Sequence, residues 1–309
     1  MTLLMVLCFA SRAVAEESGR VRWDAGLEGI ARQIENGLPA VRAEVARRVG
    51  WTYAGPAPEI VLVRNHQRMK AEAGAPVPEW AVGVAVSSRN LIVIRADLLS
   101  AGYGGGPLQV LRHEWVHLTW GWHAGERRRQ LPLWAEEGLA EEVGGGISVD
   151  AGAALDVAAA FGHLLSFEAL RERFPPDAHG ADLAYKQSRS WVQHVAREKG
   201  WEALRAILAD IASGRAERGR RGRDAFSESV RLQTGLTLGE WHAGWRQALE
   251  EEARPWFHLL YRDFSWLLLM GLAVVGAGAF FFLIRRRRRQ IDRLPDEDEA
   301  YFVESDERL

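Results

Sequence analysis

Hydrophobic and polar positions change their period along the chain, and that change outlines the fold. "AGLEGIARQIENGLPAVRAEVARRVG" (25–50) repeats its apolar residues at helical spacing, with a break predicted around Gly37 to Pro39 and a stop at Gly50. "EIVLV" (59–63) is a short continuous apolar run and predicts a strand. "AVGVAVSSRNLIVIRA" (81–96) predicts a hairpin that turns near "SSRN". The glycines and Pro107 of "AGYGGGP" end the strand pattern and let a helix open at the proline. Beyond that point the spacing is helical, including Leu131 to Val143, Tyr185 to Glu198 and Trp201 to Ala212. Strands first and helices afterwards, without an internal repeat, predict an α+β domain over residues 23–255.

Both ends depart from this pattern. Residues 1–15 carry a short apolar run followed by Ala13 and Ala15, as in a cleaved export signal. Phe264 to Ile284 is a 21-residue stretch without a charge, and about 20 helical residues span the hydrocarbon core of a bilayer. Arg285 to Arg289 follow at once and predict a cytoplasmic flank, so the main domain is expected outside the cytoplasm on a single-pass anchor. Residues 285–309 then form a basic and acidic tail.

Composition narrows the chemistry. With 48% hydrophobic and 26% charged residues, the chain is neither fibrous nor disordered. A net charge of −2 argues against a general affinity for nucleic acid. Cys8 is the only cysteine and lies in the expected signal, so a metal in the exported part needs histidine and carboxylate ligands. "SGRAERGRRGRD" (213–224) is a basic stretch expected to be a solvated loop. His163, His194, His242 and His258 have no partners at ligand spacing.

"LRHEWVHLTW" (111–120) does have them. On a helix, His113 and His117 stand one turn apart on one face, with Glu114 on the flank, which suits a metal ion with a general base beside it. Two residues compete for the third ligand. His123 follows His117 by six, the metzincin spacing, but Trp120 stands where those enzymes need a glycine, Gly121 comes one step late, and no methionine turn follows before Met270. Glu137, in "LPLWAEEGLAEE" (131–142), lies 20 residues after His117, enough for a loop and a returning helix. Glu136 is the adjacent alternative. An intramembrane protease is excluded, since Arg112 and Glu114 interrupt the apolar run around His113.

HExxH followed by W-x-x-E-G-L-A-E resembles the gluzincin superfamily of zinc metallopeptidases, in particular its compact peptidase-MA-like members. The resemblance extends less specifically over about residues 23–250. It implies a zincin-like domain with a small N-terminal mixed sheet, an edge hairpin, an active-site helix and a helical C-terminal part. It implies Zn2+ on His113, His117 and Glu137, with Glu114 as catalytic base; Glu141 then falls one turn beyond Glu137 on the same face, which suits a carboxylate holding His113 in the right tautomer. "LAYKQSRSWVQHVAREKG" is similar to a later helix of the family, headed by Tyr185, which becomes the candidate oxyanion donor with His179 behind it. The implied substrate is a peptide or protein paired along the edge strand. The absence of a G-x-M-E-N motif favours an endopeptidase over an aminopeptidase. The alternative of another class is an inactive zinc-binding receptor or scaffold of the same fold.

Overall fold

The computed structural model describes residues 20–100, 105–146, 153–218 and 224–291. The expected signal (1–15), residues 219–223 of the basic 213–224 stretch and most of the tail lie outside them, and within that stretch the expected loop gives way to a helical turn at Arg215–Arg218. The chain divides into two units, one ending at Glu252 and the other beginning at Ala253.

In the first unit, β1 (Arg20–Trp23), β2 (Glu59–Val63), β3 (Gly83–Val86) and β4 (Leu91–Arg95) form one sheet in the order β1-β2-β4-β3. β1 and β4 run parallel to β2, whereas β3 pairs antiparallel with β4 and occupies the edge. This is the small mixed sheet that the family resemblance implied. The β3–β4 connection is a 3-10 turn, Ser87–Arg89, closed by Asn90 at φ 49°, a backbone state that asparagine tolerates better than most residues. Apart from Glu59 at the start of β2 and Arg95 at the end of β4, both strands are apolar because both faces are covered. Ile60, Leu62, Ile92 and Ile94 join the core built by α1 (Glu28–Val49), while Val61, Val63, Leu91 and Val93 pack with Met69 and Ala73 of α2 (His66–Ala73).

One expectation is corrected in this part and two elements are added to those the spacing predicts. Neither β1 nor α2 was predicted: β1 has four residues and is exposed at both ends, so burial leaves little mark on "RVRW". The break at Gly37–Pro39 does not occur, since α1 runs through Pro39. Proline costs a helix interior about 3 kcal/mol. The buried stripe Ala31, Ile34, Leu38, Val41, Val45 and Val49 crosses the proline, and each large member gains about 1.5–3 kcal/mol by burial, which outweighs that cost. Gly37 lets the next core helix approach, because a Cβ there would lie 2.5 Å from Leu108 Cδ2.

A single turn, α3 (Ala96–Ser100), leads toward α4 (Pro107–Ala124), which opens at the proline as predicted. A 3-10 segment, Gly125–Gln130, turns the chain back into α5 (Leu133–Gly144). α6 (Ala153–Ala160), α7 (Ala178–Ala212), α8 (Arg215–Arg218) and α9 (Ala225–Thr234) complete the helical part. α7 contains the two helices read from the sequence, divided at Gly200, whose φ of 79° and ψ of 166° are not helical. It starts earlier than expected, with Asp177 Oδ1 accepting from Gly180 N at 2.8 Å. Tyr185 therefore lies inside the helix and does not head it.

α10 (Leu238–Ile291) contributes Trp241, Trp245 and Leu249 to the core of the first unit. In the second unit, Leu268–Arg289 is a helical segment with mean hydropathy 2.1, long and apolar enough to cross a membrane.

Candidate metal centre

The site is built where α4 and α5 cross beneath the edge strand. Leu111, Trp115 and Leu118 bury α4 in the core, and the same helix carries His113, Glu114 and His117, all buried. α5 is anchored by Trp134, which packs against Phe167, Trp191 and Phe226, and it carries Glu136, Glu137 and Glu141. Two glycines let this helix approach its neighbours closely. A Cβ on Gly138 would collide with the backbone carbonyl of Ser188 in α7, and one on Gly144 would lie 3.2 Å from His113 Cβ. The glycine after Glu137 thus has a packing reason: it lets α5 lie close against α7.

Three donor atoms converge. His113 Nε2 is 3.2 Å from His117 Nε2, and Glu137 Oε2 is 3.3 Å from the first and 3.4 Å from the second. Glu137 Oε2 is buried and makes no hydrogen bond. These separations match a cation site. Zinc binds imidazole nitrogen and carboxylate oxygen at about 2.0–2.1 Å, and the edge of a tetrahedron of that size is about 3.3–3.4 Å. The residues present therefore fit a tetrahedral divalent ion, with a fourth position left for water or substrate.

Outside this triangle each ring has a carboxylate at its other nitrogen. His117 Nδ1 is 2.7 Å from Glu136 Oε1, and His113 Nδ1 is 3.2 Å from Glu141 Oε1. Glu136, weighed from sequence as an alternative ligand, thus sits on the far side of His117 from the converging donors. Its charge is met by Arg128, whose Nη2 donates to Glu136 Oε1 at 2.7 Å. Nothing in "GERRRQ" had singled out Arg128; only the folding back of α5 brings it to Glu136.

Burial by itself would lower the pKa of both rings, but the surrounding carboxylates outweigh it. Glu137 and Glu136 push His117 up to about 9. Glu137 and Glu141 hold His113 well above its ordinary value. Burial would raise Glu137, yet the two imidazoles hold it below the usual carboxylate range. In the metal-free chain the site thus gathers protons to balance its carboxylates, a role that a divalent cation fills when bound. Glu114 is raised by burial, with the imidazoles offsetting part of the effect. It lies against β3, where a Cβ on Gly83 would fall 2.5 Å from Glu114 Oε1.

A cleft of about 550 Å³ opens over these groups, lined by β3, Trp80, Phe174 and Tyr185 among others. The Tyr185 ring is 6.3 Å from that of His113, and burial followed by the carboxylates keeps its hydroxyl neutral far above the ordinary tyrosine range. His179 is exposed and is not part of the cleft lining. His123, the other candidate third ligand, points elsewhere: its Nε2 is 3.0 Å from Thr52 O and its ring stacks on Trp51 at 4.9 Å. The metzincin geometry is therefore not formed.

The fold and the converging donors define the class: an α+β domain with a metallopeptidase-like fold and a possible His/His/Glu metal site. Its family follows from the sequence, since the family model described as Peptidase MA superfamily matches residues 45–238 and the chain belongs to that superfamily. No curated protein and no solved structure matches the chain significantly.

Proposed function

We propose that this chain is a membrane-anchored zinc metallopeptidase that hydrolyses peptide bonds outside the cytoplasm, acting as an endopeptidase. The observation that carries the reading is the buried triangle of His113 Nε2, His117 Nε2 and Glu137 Oε2, with sides of 3.2, 3.3 and 3.4 Å, beside Glu114 on the same helix. His113, His117 and Glu137 would hold a zinc ion, which when bound would supply Lewis acidity to a water molecule and to the scissile carbonyl. Glu114 takes the proton of the attacking water on its carboxylate and hands it to the amine nitrogen as the C–N bond breaks. Tyr185 donates its O–H to the carbonyl oxygen as negative charge develops there. The outer edge of β3 supplies backbone N–H and C=O groups to an extended peptide. The retained Glu114 favours an enzyme over an inactive scaffold of the same fold. Leu268–Arg289 supports the anchor, and the arginines that end it support a cytoplasmic C-terminus with the site on the opposite side. Residues 1–15 act as the export signal, residues 23–255 as the peptidase domain, 264–284 as the anchor and 285–309 as the cytoplasmic tail.

The test uses the full chain in detergent, with zinc measured by elemental analysis and hydrolysis followed on a mixture of proteome-derived peptides. Glu114→Gln is expected to keep one zinc per chain and to lose at least about 100-fold in rate. A fully active Glu114→Gln variant would remove the proposed base, and a wild-type chain without affinity for zinc would sink the metallopeptidase reading.

A further inference from the structure

The ring of His117 is held by more than the carboxylate at its Nδ1. Arg128 grips that carboxylate through two nitrogens: Nη2 donates to Glu136 Oε1 at 2.7 Å, and Nε donates to Oε1 at 3.2 Å and to Oε2 at 3.4 Å. Its Nη1 donates to Ser87 Oγ at 3.1 Å, and Ser87 Oγ donates to the backbone oxygen of His117 at 3.3 Å. The contacts close a circuit: imidazole, Glu136, Arg128, Ser87 and back to the main chain of the same histidine. Gly121, one turn beyond His117, makes room for it, because a Cβ there would lie 2.5 Å from Ser87 Oγ and 2.6 Å from Ser87 Cβ. This explains a glycine that stands one step late for the metzincin pattern. Ser87 belongs to the turn after β3, so the circuit ties the edge hairpin to the helix that carries the histidines.

We propose that Arg128, seated on Ser87 over Gly121, is a positioning residue that holds Glu136 against His117 Nδ1 and thereby aims His117 Nε2 into the metal site. The inference rests on the metallopeptidase reading for the identity of the ion. Its physical basis is directional. A ring whose Nδ1–H is bonded to a fixed carboxylate keeps both the tautomer and the orientation that present the Nε2 lone pair. The planar guanidinium can hold Glu136 and Ser87 together because its donors point in fixed, divergent directions, which a lysine cannot reproduce.

The experiment measures zinc affinity of the full chain in detergent by competition with a chromophoric chelator, together with the visible spectrum of the cobalt-substituted protein. Arg128→Met is expected to weaken zinc binding 10- to 100-fold and to alter the cobalt spectrum. The same substitution in a Glu136→Gln background is expected to add little, because Arg128 acts through Glu136. Wild-type zinc affinity in Arg128→Met, or a loss that adds in full to that of Glu136→Gln, would overturn the proposal. So would a change confined to KM, which would make Arg128 a substrate-binding group on the cleft wall. Should Arg128→Met fail to fold, Ser87→Ala decides: several-fold weaker zinc with an altered cobalt spectrum supports the circuit, and wild-type behaviour overturns it. A wild-type chain that binds no zinc is a different result, since it removes the reading on which the inference stands.

Discussion

Gly83→Ala separates the proposed base from the proposed metal ligands with a single methyl group. The new Cβ would lie 2.5 Å from Glu114 Oε1, 2.9 Å from Glu114 Cγ and 2.8 Å from Val110 Cγ1. Non-bonded heavy atoms are comfortable at about 3.5 Å, so the carboxylate must retreat by about 1 Å or the edge strand must lift by as much. Val110 is fully buried in the core and offers no room on the other side. Gly83 lies outside the left-handed region, so alanine adds no backbone strain there. A displacement of about 1 Å in a reacting group costs roughly 100-fold in rate, equivalent to about 2.7 kcal/mol of transition-state stabilisation. The affected side chain is not a proposed ligand. Hydrolysis by Gly83→Ala should therefore fall roughly 100-fold while zinc content stays at the wild-type level. The assay pairs initial rates on one peptide substrate with elemental analysis of the same preparation. Wild-type rate in this variant would refute the assignment of Glu114, and loss of zinc with the rate would show that the edge strand supports the ligands themselves.

Further outcomes follow from the same geometry. Glu137→Ala should lose zinc in an equilibrium dialysis assay, whereas His123→Ala, whose ring meets Thr52 and Trp51 away from the converging donors, should keep it. The reverse pattern would restore the metzincin assignment. Tyr185→Phe should retain zinc and the melting temperature of the wild type but lose about 100- to 1,000-fold in kcat; an unchanged kcat would assign Tyr185 to packing with Trp80 and Phe174. The pH dependence has a definite sign. His117 is raised from 6.5 to about 9 in the folded metal-free chain, so its contribution is fully present below pH 6.5 and is lost as pH climbs to about 9. Thermal unfolding of the metal-free protein should shift down across that window, by up to about 3 kcal/mol from this group. Zinc should abolish the shift, because a bound imidazole carries no titrating proton; a metal-free protein equally stable at both pH values would contradict the charge balance described for the site.

The residues of the site were legible from sequence to the extent that local spacing expresses them. His113, Glu114 and His117 share one helical turn, so their common face follows from helix geometry alone. Glu137 is separated from them by a change of direction; the resemblance carried by "WAEEGLAE" singled it out, and the fold brings it within 3.4 Å of both rings. Arg128 and Ser87 have no comparable mark. Each is an ordinary surface-type residue whose partner lies 8 and 30 residues away, and neither contact recurs with any period.

By itself the sequence determined what depends on neighbours along the chain: the strands Glu59–Val63 and Leu91–Arg95, the helix opening at Pro107, the apolar segment near the C-terminus and the histidine pair. Tertiary structure decided what depends on surfaces meeting. α1 continues through Pro39 because a buried stripe on both sides of it outweighs one missing hydrogen bond, and "RVRW" becomes a strand because β2 offers it a parallel edge. Glu136 and Glu137 are chemically identical neighbours, yet one sits behind His117 while the other sits between the two rings. Helix geometry rotates adjacent residues by about 100°, so Glu137 faces the converging histidine nitrogens while Glu136 meets the far side of the His117 ring.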